Sequence, residues 1–145
     1  MTQDAARQKP SVILCEAYSS LREGLELGLS EPYHLRSTGR IAELLTLLEA
    51  TPPALLILDV DHQPAPYQVL VNIRSRSPLL PVLLLSREFT LEQQKDTIKR
   101  IGNVGFITKP FDLPVFLEKV QTLIQGYSTS PIRRRIVRLL RQPSA

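Results

Sequence analysis

Short apolar runs alternate with longer amphipathic stretches along most of the chain, and this alternation constrains the fold more than any other feature. Val12-Ile13-Leu14-Cys15 reads as a buried strand, short, apolar and β-branched at its start. The helix after it carries Leu21, Leu25 and Leu29 at four-residue spacing, with Ser19 or Ser20 expected as its cap. Tyr33 to Ser37 is a weaker strand. Gly39 then precedes a helix with Ile41, Leu44, Leu45 and Leu48 on one face, stopped by Pro52-Pro53. Ala54 to Leu58 is a third strand ending at Asp59, and a proline-bearing loop leads from Asp61 into a helix with Val69, Leu70 and Ile73. Pro81 to Leu85 is a fully apolar strand ending at Ser86. A polar helix over about Thr90 to Ile101 is followed by Gly102, then by a short strand, Gly105 to Thr108, ending at Lys109-Pro110. Leu113 to Ile124 makes the last helix, its apolar members Val115, Phe116, Val120, Leu123 and Ile124, with Gly126 near its end.

Strands that alternate with helices imply a parallel sheet covered on both faces. The third and fourth strands carry almost no polar residue, as double coverage requires. In open sheets of this kind chemistry lies just beyond the carboxyl ends of the strands. Glu16 and Ala17, Asp59, Ser86 and Lys109 are therefore the candidates.

Size and composition exclude several other classes. At 145 residues there is room for one ordinary domain, and 43% hydrophobic with 22% charged residues excludes collagen-like repetition and wholesale disorder. The longest apolar runs fall far short of the ~20 residues a membrane-spanning helix needs. Residues 1–9 lack the apolar core of a secretory signal, and Cys15 is the only cysteine, so neither a disulfide framework nor a multi-cysteine zinc site is expected. A cytoplasmic location follows as the expectation. Cys15, inside an apolar strand, reads as inert packing; His34 and His62 stand without partners that would make a site.

The net charge of +4 belongs to the end of the chain. Residues 127–145 hold Arg133, Arg134, Arg135, Arg138 and Arg141 and no acid, which leaves thirteen basic against fourteen acidic groups before them. Apolar residues at 132, 136, 139 and 140 give this tail one greasy and one basic helical face. It reads as a linker or partly disordered terminus, or as a contact for a homodimer, an acidic partner, an anionic membrane surface or nucleic acid. With no helix-turn-helix unit in the sequence, docking on a protein is favoured over nucleic acid.

An aspartate, a hydroxyl and a lysine converging on one rim suit phosphoryl transfer. A carboxylate can attack phosphorus to give an acyl phosphate, and an ammonium and a hydroxyl stabilise the charge on the transferring oxygens. Over residues 11–126 the chain resembles a bacterial response-regulator receiver domain. The matching segments are Leu21-Arg22-Glu23-Gly24-Leu25, Leu56-Ile57-Leu58-Asp59, Pro81-Val82-Leu83-Leu84-Leu85-Ser86 and Gly105-Phe106-Ile107-Thr108-Lys109-Pro110-Phe111. The last is the most specific, with a Lys-Pro after the strand and an aromatic three residues before the lysine.

The resemblance implies a flavodoxin-like fold, a doubly wound three-layer (βα)5 sandwich with strand order 2-1-3-4-5. It places a receiver-like domain over 10–127 and a basic tail over 128–145. Asp59 would accept a phosphoryl group from a sensor histidine kinase, Ser86 would hydrogen-bond its oxygens, and Lys109 would pair with them. Phe106 stands at the position of a switch aromatic, and the output face falls over roughly residues 90–126. The implied partners are the kinase and a downstream protein or output domain. The implied cofactor is Mg2+, and the module is not an enzyme.

The departures bear on the chemistry. Receivers carry two adjacent acids after the first strand, whereas this chain has Glu16 and Ala17. The metal set is then Glu16, Asp59 and, as a substitute carboxylate, Asp61, with reduced Mg2+ affinity expected. Arg87 replaces the small residue that usually follows the hydroxyl, and Gln63 stands where the loop proline is usual, with Pro64 one later. The first alternative is a phosphorylation-impaired pseudo-receiver that acts as a protein-binding module. The second reads Leu58-Asp59-Val60-Asp61 as the acidic pair of a haloacid-dehalogenase-like phosphatase. That motif normally opens the chain and needs a further acidic pair downstream, where only Asp112 is nearby. A flavodoxin-like cofactor protein fits least, for no phosphate-cradling loop follows the first strand.

Overall fold

The apolar runs pair into one parallel sheet. A computed structural model describes residues 8–61, 63 and 65–129. Strands β1 (Ser11–Cys15), β2 (His34–Thr38), β3 (Leu55–Asp59), β4 (Val82–Ser86) and β5 (Val104–Thr108) alternate with helices α1 (Ser19–Leu29), α2 (Ile41–Ala50), α3 (Pro66–Arg76), α4 (Leu91–Ile101) and α5 (Leu113–Thr129). The order across the sheet is β2-β1-β3-β4-β5, every neighbouring pair parallel, which is the doubly wound three-layer arrangement expected.

Side-chain alternation along the strands builds two cores. Ile13, Cys15, Leu56, Leu58, Val82 and Leu84 pack on one face with Leu44 of α2 and Leu70 and Ile73 of α3. Val12, Leu14, Leu55, Ile57, Leu83 and Leu85 pack on the other with Leu25 and Leu29 of α1 and Phe116 and Val120 of α5. The central strands β3 and β4 are buried along their whole length, while β2 and β5, at the edges, are only partly covered.

Several boundaries differ from expectation, and one difference shapes the site. Asp59 and Ser86 are the last residues of β3 and β4, because ladder pairing continues through them: Asp59 stands opposite Leu85, and Ser86 opposite Thr108. Their backbones are thereby held by the sheet. Neither Ser19 nor Ser20 caps α1; the N-cap position is Tyr18, with no side-chain cap. The cap that does form is on α4, where Thr90 and Gln93 make a reciprocal capping box. Among the residues of α4 only Thr97 is buried, so this helix is held lightly. Helix α5 runs on past Ile124 and Gly126 to Thr129. His62, Pro64 and the arginines of the tail lie outside the described residues. None of the described helices is long and apolar enough to cross a membrane.

Candidate functional site

At the carboxyl rim of the sheet, three carboxylates gather around one ammonium. Glu16 directly follows β1, Asp59 ends β3, Asp61 comes two residues later, and Lys109 directly follows β5. Lys109 Nζ lies 2.9 Å from Glu16 Oε1, 3.1 Å from Asp59 Oδ1 and 3.6 Å from Asp61 Oδ2. The strand framework aims the lysine, since Lys109 N–H donates to the Ser86 carbonyl at 2.7 Å and carries the β4–β5 ladder one step beyond the strands. The Lys109–Pro110 peptide is cis.

Depth separates the carboxylates. Glu16 and Asp59 side chains are 0% and 1% exposed, against 16% for Asp61 and 11% for Lys109. Burial, reinforced by the adjoining Asp59 carboxyl, pushes the Glu16 carboxyl above its ordinary range, against the pull of Lys109 and of the Tyr18 N–H that donates to Glu16 Oε2. Burial alone would lower the Lys109 pKa, but its pairing with Glu16 and Asp59 outweighs that and raises it. The same acids reach Cys15, whose thiol is pushed up to about 12, first by burial and then by Asp59 and Glu16.

Asp59 has one committed and one uncommitted oxygen. Oδ1 accepts from the Asp61 N–H at 3.0 Å and from Lys109 Nζ, whereas Oδ2 is buried without a hydrogen-bond partner. Asp61, by contrast, is surrounded by donors. Its Oδ1 accepts from Ser86 Oγ at 2.6 Å, and the Arg87 N–H lies 3.2 and 3.1 Å from its two oxygens. These bonds and Lys109 pull the Asp61 carboxyl below its usual value even though burial pushes the other way.

The structure thus brings together Glu16, Asp59, Asp61, Ser86 and Lys109. Ala17 is exposed beside them and offers no side-chain oxygen. Phe106 is half-buried in β5 and packs edge-on against Phe89, ring centroids 5.0 Å apart. Asp112 is exposed just before α5, and Asp59 ends the central β3 rather than a first strand, an arrangement unlike the phosphatase motif. Two contributors were not among the site residues expected from the sequence. Arg22 donates to the Glu16 carbonyl at 2.8 Å and passes so close to Gly39 that a methyl there would lie 2.5 Å from Arg22 Nη1. A cleft of about 430 Å³, walled by Tyr18, Leu21, Arg87, Pro110 and Phe111, opens beside Lys109.

The carboxylates expected to hold magnesium do converge, but around an ammonium. Glu16 Oε1 makes no hydrogen bond but lies in the ion pair with Lys109, the other oxygens of Glu16 and Asp61 accept hydrogen bonds, Asp59 Oδ2 has neither, and no cluster of three or more ligating side chains among the described residues is arranged for a metal ion. A divalent cation would have to displace Lys109 or draw Asp61 off Ser86. The residues as arranged do not fit the ion, because Ala17 supplies no ligand and the Lys109 ammonium stands among the acids that remain.

The comparisons with known structures meet this geometry. Over 90% of its length the chain superposes on NtrX of Brucella abortus, solved with ADP, at TM-score 0.76 and 20% identity, and it spans only 29% of that protein chain. It matches chemotaxis protein CheY4 of Vibrio cholerae at TM-score 0.72 and 22% identity, over 79% of this chain and 98% of that one. This is the fold of a response-regulator receiver domain. A third receiver, from an HD domain-containing protein of Pseudomonas fluorescens, matches at TM-score 0.74 and 22% identity, over 87% of this chain and 94% of that one. No protein-family model and no curated protein matches the chain, so the receiver likeness rests on shape. Within the receiver fold, Asp59, Ser86 and Lys109 stand at three strand ends that share one rim.

Proposed function

We propose that this chain is a receiver module in two-component signalling whose Asp59 accepts a phosphoryl group from the phosphohistidine of a sensor kinase. It then signals through protein contacts, either to a downstream partner or to an output domain, and acts as a relay rather than an enzyme. The observation that carries the proposal is Asp59 Oδ2: an uncommitted carboxylate oxygen at the strand end, with an ammonium on its sister oxygen and a hydroxyl on the adjacent strand. In the transfer, Oδ2 forms a bond to phosphorus as the phosphorus–nitrogen bond breaks, and the bonding pair stays on the imidazole nitrogen. Lys109 and Ser86 then hold the phosphoryl oxygens, whose added charge they offset. Phe106, on the strand that delivers Lys109, would sense the rearrangement. No step is assigned to magnesium, given the occupied oxygens.

The test is incubation with acetyl phosphate, with and without magnesium, read by intact mass. One phosphoryl group should add to the wild type and none to Asp59→Asn. A variant that still takes up the group would contradict the assignment.

One observation favours the pseudo-receiver as the second reading. Asp59 Oδ2 is closed off from solvent, and the hydroxyl and amide beside it are already satisfied by Asp61. Under that reading the wild type takes up no group, and partner binding is the same for Asp59→Asn as for the wild type.

A further inference from the structure

Asp61 has more donors than an exposed loop aspartate normally recruits. The Ser86 hydroxyl, the Arg87 backbone N–H and the Lys109 ammonium converge on its carboxylate from two different strand ends. Ser86 ends β4, the strand paired with the β3 that Asp59 ends, Arg87 follows it directly, and Lys109 is bonded to Asp59 itself. A hydroxyl, a backbone amide and an ammonium aimed at one point are the donor set that stabilises a phosphoryl oxygen anion, and a carboxylate satisfies the same set. The Asp61 N–H meanwhile donates to Asp59 Oδ1, so the residue that fills the seat is also tied to the acceptor it covers.

We infer that the Asp61 carboxylate occupies the anion seat meant for the phosphoryl group on Asp59, as a built-in stand-in that holds Ser86, Arg87 N–H and Lys109 engaged while Asp59 is unmodified. The inference rests on Asp59 as acceptor and adds a competition to it. A phosphoryl group reaches its donors only when Asp61 has released them, so the rate of phosphorylation is lowered by the fraction of time the seat is filled. No loop rearrangement is required, since Asp61 holds the seat through its side chain.

The test pairs a chemical and a binding readout. The rate of adduct formation from acetyl phosphate is measured by intact mass for the wild type, Asp61→Ala, Asp61→Asn and Asp61→Ala in the Asp59→Asn background. In parallel, inorganic phosphate is titrated into the wild type and Asp61→Ala while the Arg87 amide resonance is followed. Asp61→Ala should form the adduct about tenfold faster or more, which corresponds to a seat filled at least about nine-tenths of the time. Asp61→Asn keeps the shape and loses the charge; its rise should be smaller, and it serves if the alanine variant folds poorly. The double variant should form none. Phosphate should shift the Arg87 amide saturably only where Asp61 is absent.

Equal rates in wild type and both Asp61 variants, with no phosphate response, would overturn the inference and leave Asp59 as acceptor untouched. No adduct in any protein, with a phosphate response confined to Asp61→Ala, would overturn the acceptor assignment and uphold the seat. Absence of both effects would overturn both.

Discussion

The inner and outer walls of the rim pocket use the same chemistry to opposite ends. On the inner wall, Glu16 and Asp59 are sealed beneath the rim and share a single cation; on the outer wall, Asp61 is partly open and has a hydroxyl and an amide besides the same lysine. A buried carboxylate with too few donors is costly and depends on its partner, whereas a shallow one with donors to spare is held locally and can exchange with solvent. Lys109 is thus the one counter-charge of two sealed acids on the inner wall and one of three donors on the outer one. The directions of the pKa shifts agree: up for Glu16, down for Asp61.

The largest expected effect comes from taking the cation away from the inner wall. Lys109→Met should cost about 3 kcal/mol at neutral pH by urea denaturation, because it strands Glu16 and Asp59 together without a counter-charge. Lys109 has a raised pKa, so its contribution is full below its unfolded value and fades only as pH rises through the folded one. Acidification protonates the Glu16 carboxyl, whose pKa is raised by burial, so the gap to wild type should narrow as pH falls. A loss under about 1 kcal/mol, or one independent of pH, would erase the distinction between the walls.

Neutralising one inner acid should act the other way. With its pKa raised, Glu16 in the folded state takes up a proton before the unfolded chain does as pH falls, so its charged form works against folding near neutrality. Glu16→Gln should therefore raise stability by about 1 kcal/mol at pH 7, and the gain should vanish on acidification. A variant less stable than wild type at neutral pH would mean that the Lys109 pairing outweighs burial.

On the outer wall the effects shrink. Asp61→Ala should change stability by less than about 1 kcal/mol, since a partly exposed carboxylate is traded for hydrated donors. Its lowered pKa gives a contribution present above the unfolded value and lost as pH falls through the folded one, the reverse of Glu16. A loss as large as that of Lys109→Met would show that the seat belongs to the structural core. Cys15 sharpens the same contrast from below: with its thiol at about 12, a disulfide reagent at pH 8 should label it only after denaturant is added. Rapid labelling of the native protein would mean that the acids above it are open to solvent.

The fold was legible wherever burial is two-sided. The runs that became β3 and β4 are apolar without interruption, because both faces of a parallel sheet are covered by the amphipathic helices between them. The edge strand β2 was harder: only one of its residues is buried, and its start lay one residue later than the apolar pattern suggested. Thr90 with Gln93 announces its cap in sequence, whereas the serines of α1 mislead, because the entry to that helix is shaped by Glu16 accepting from the Tyr18 N–H. Asp59, Ser86 and Lys109 could be placed on one rim from strand ends alone. That Asp61 would capture Ser86 could not, since it depends on how far a loop aspartate two residues beyond β3 reaches toward β4. Arg22 and Gly39 likewise meet only in three dimensions.

The most direct test of the account traps the acyl phosphate where it forms. Wild type and Asp61→Ala, treated with acetyl phosphate, would be reduced with borohydride, which converts a phosphorylated aspartate to homoserine, and the converted residue located by peptide mass. Conversion is expected at Asp59 alone, in higher yield for Asp61→Ala at early times. Conversion at Asp61, or none in either protein, would contradict it.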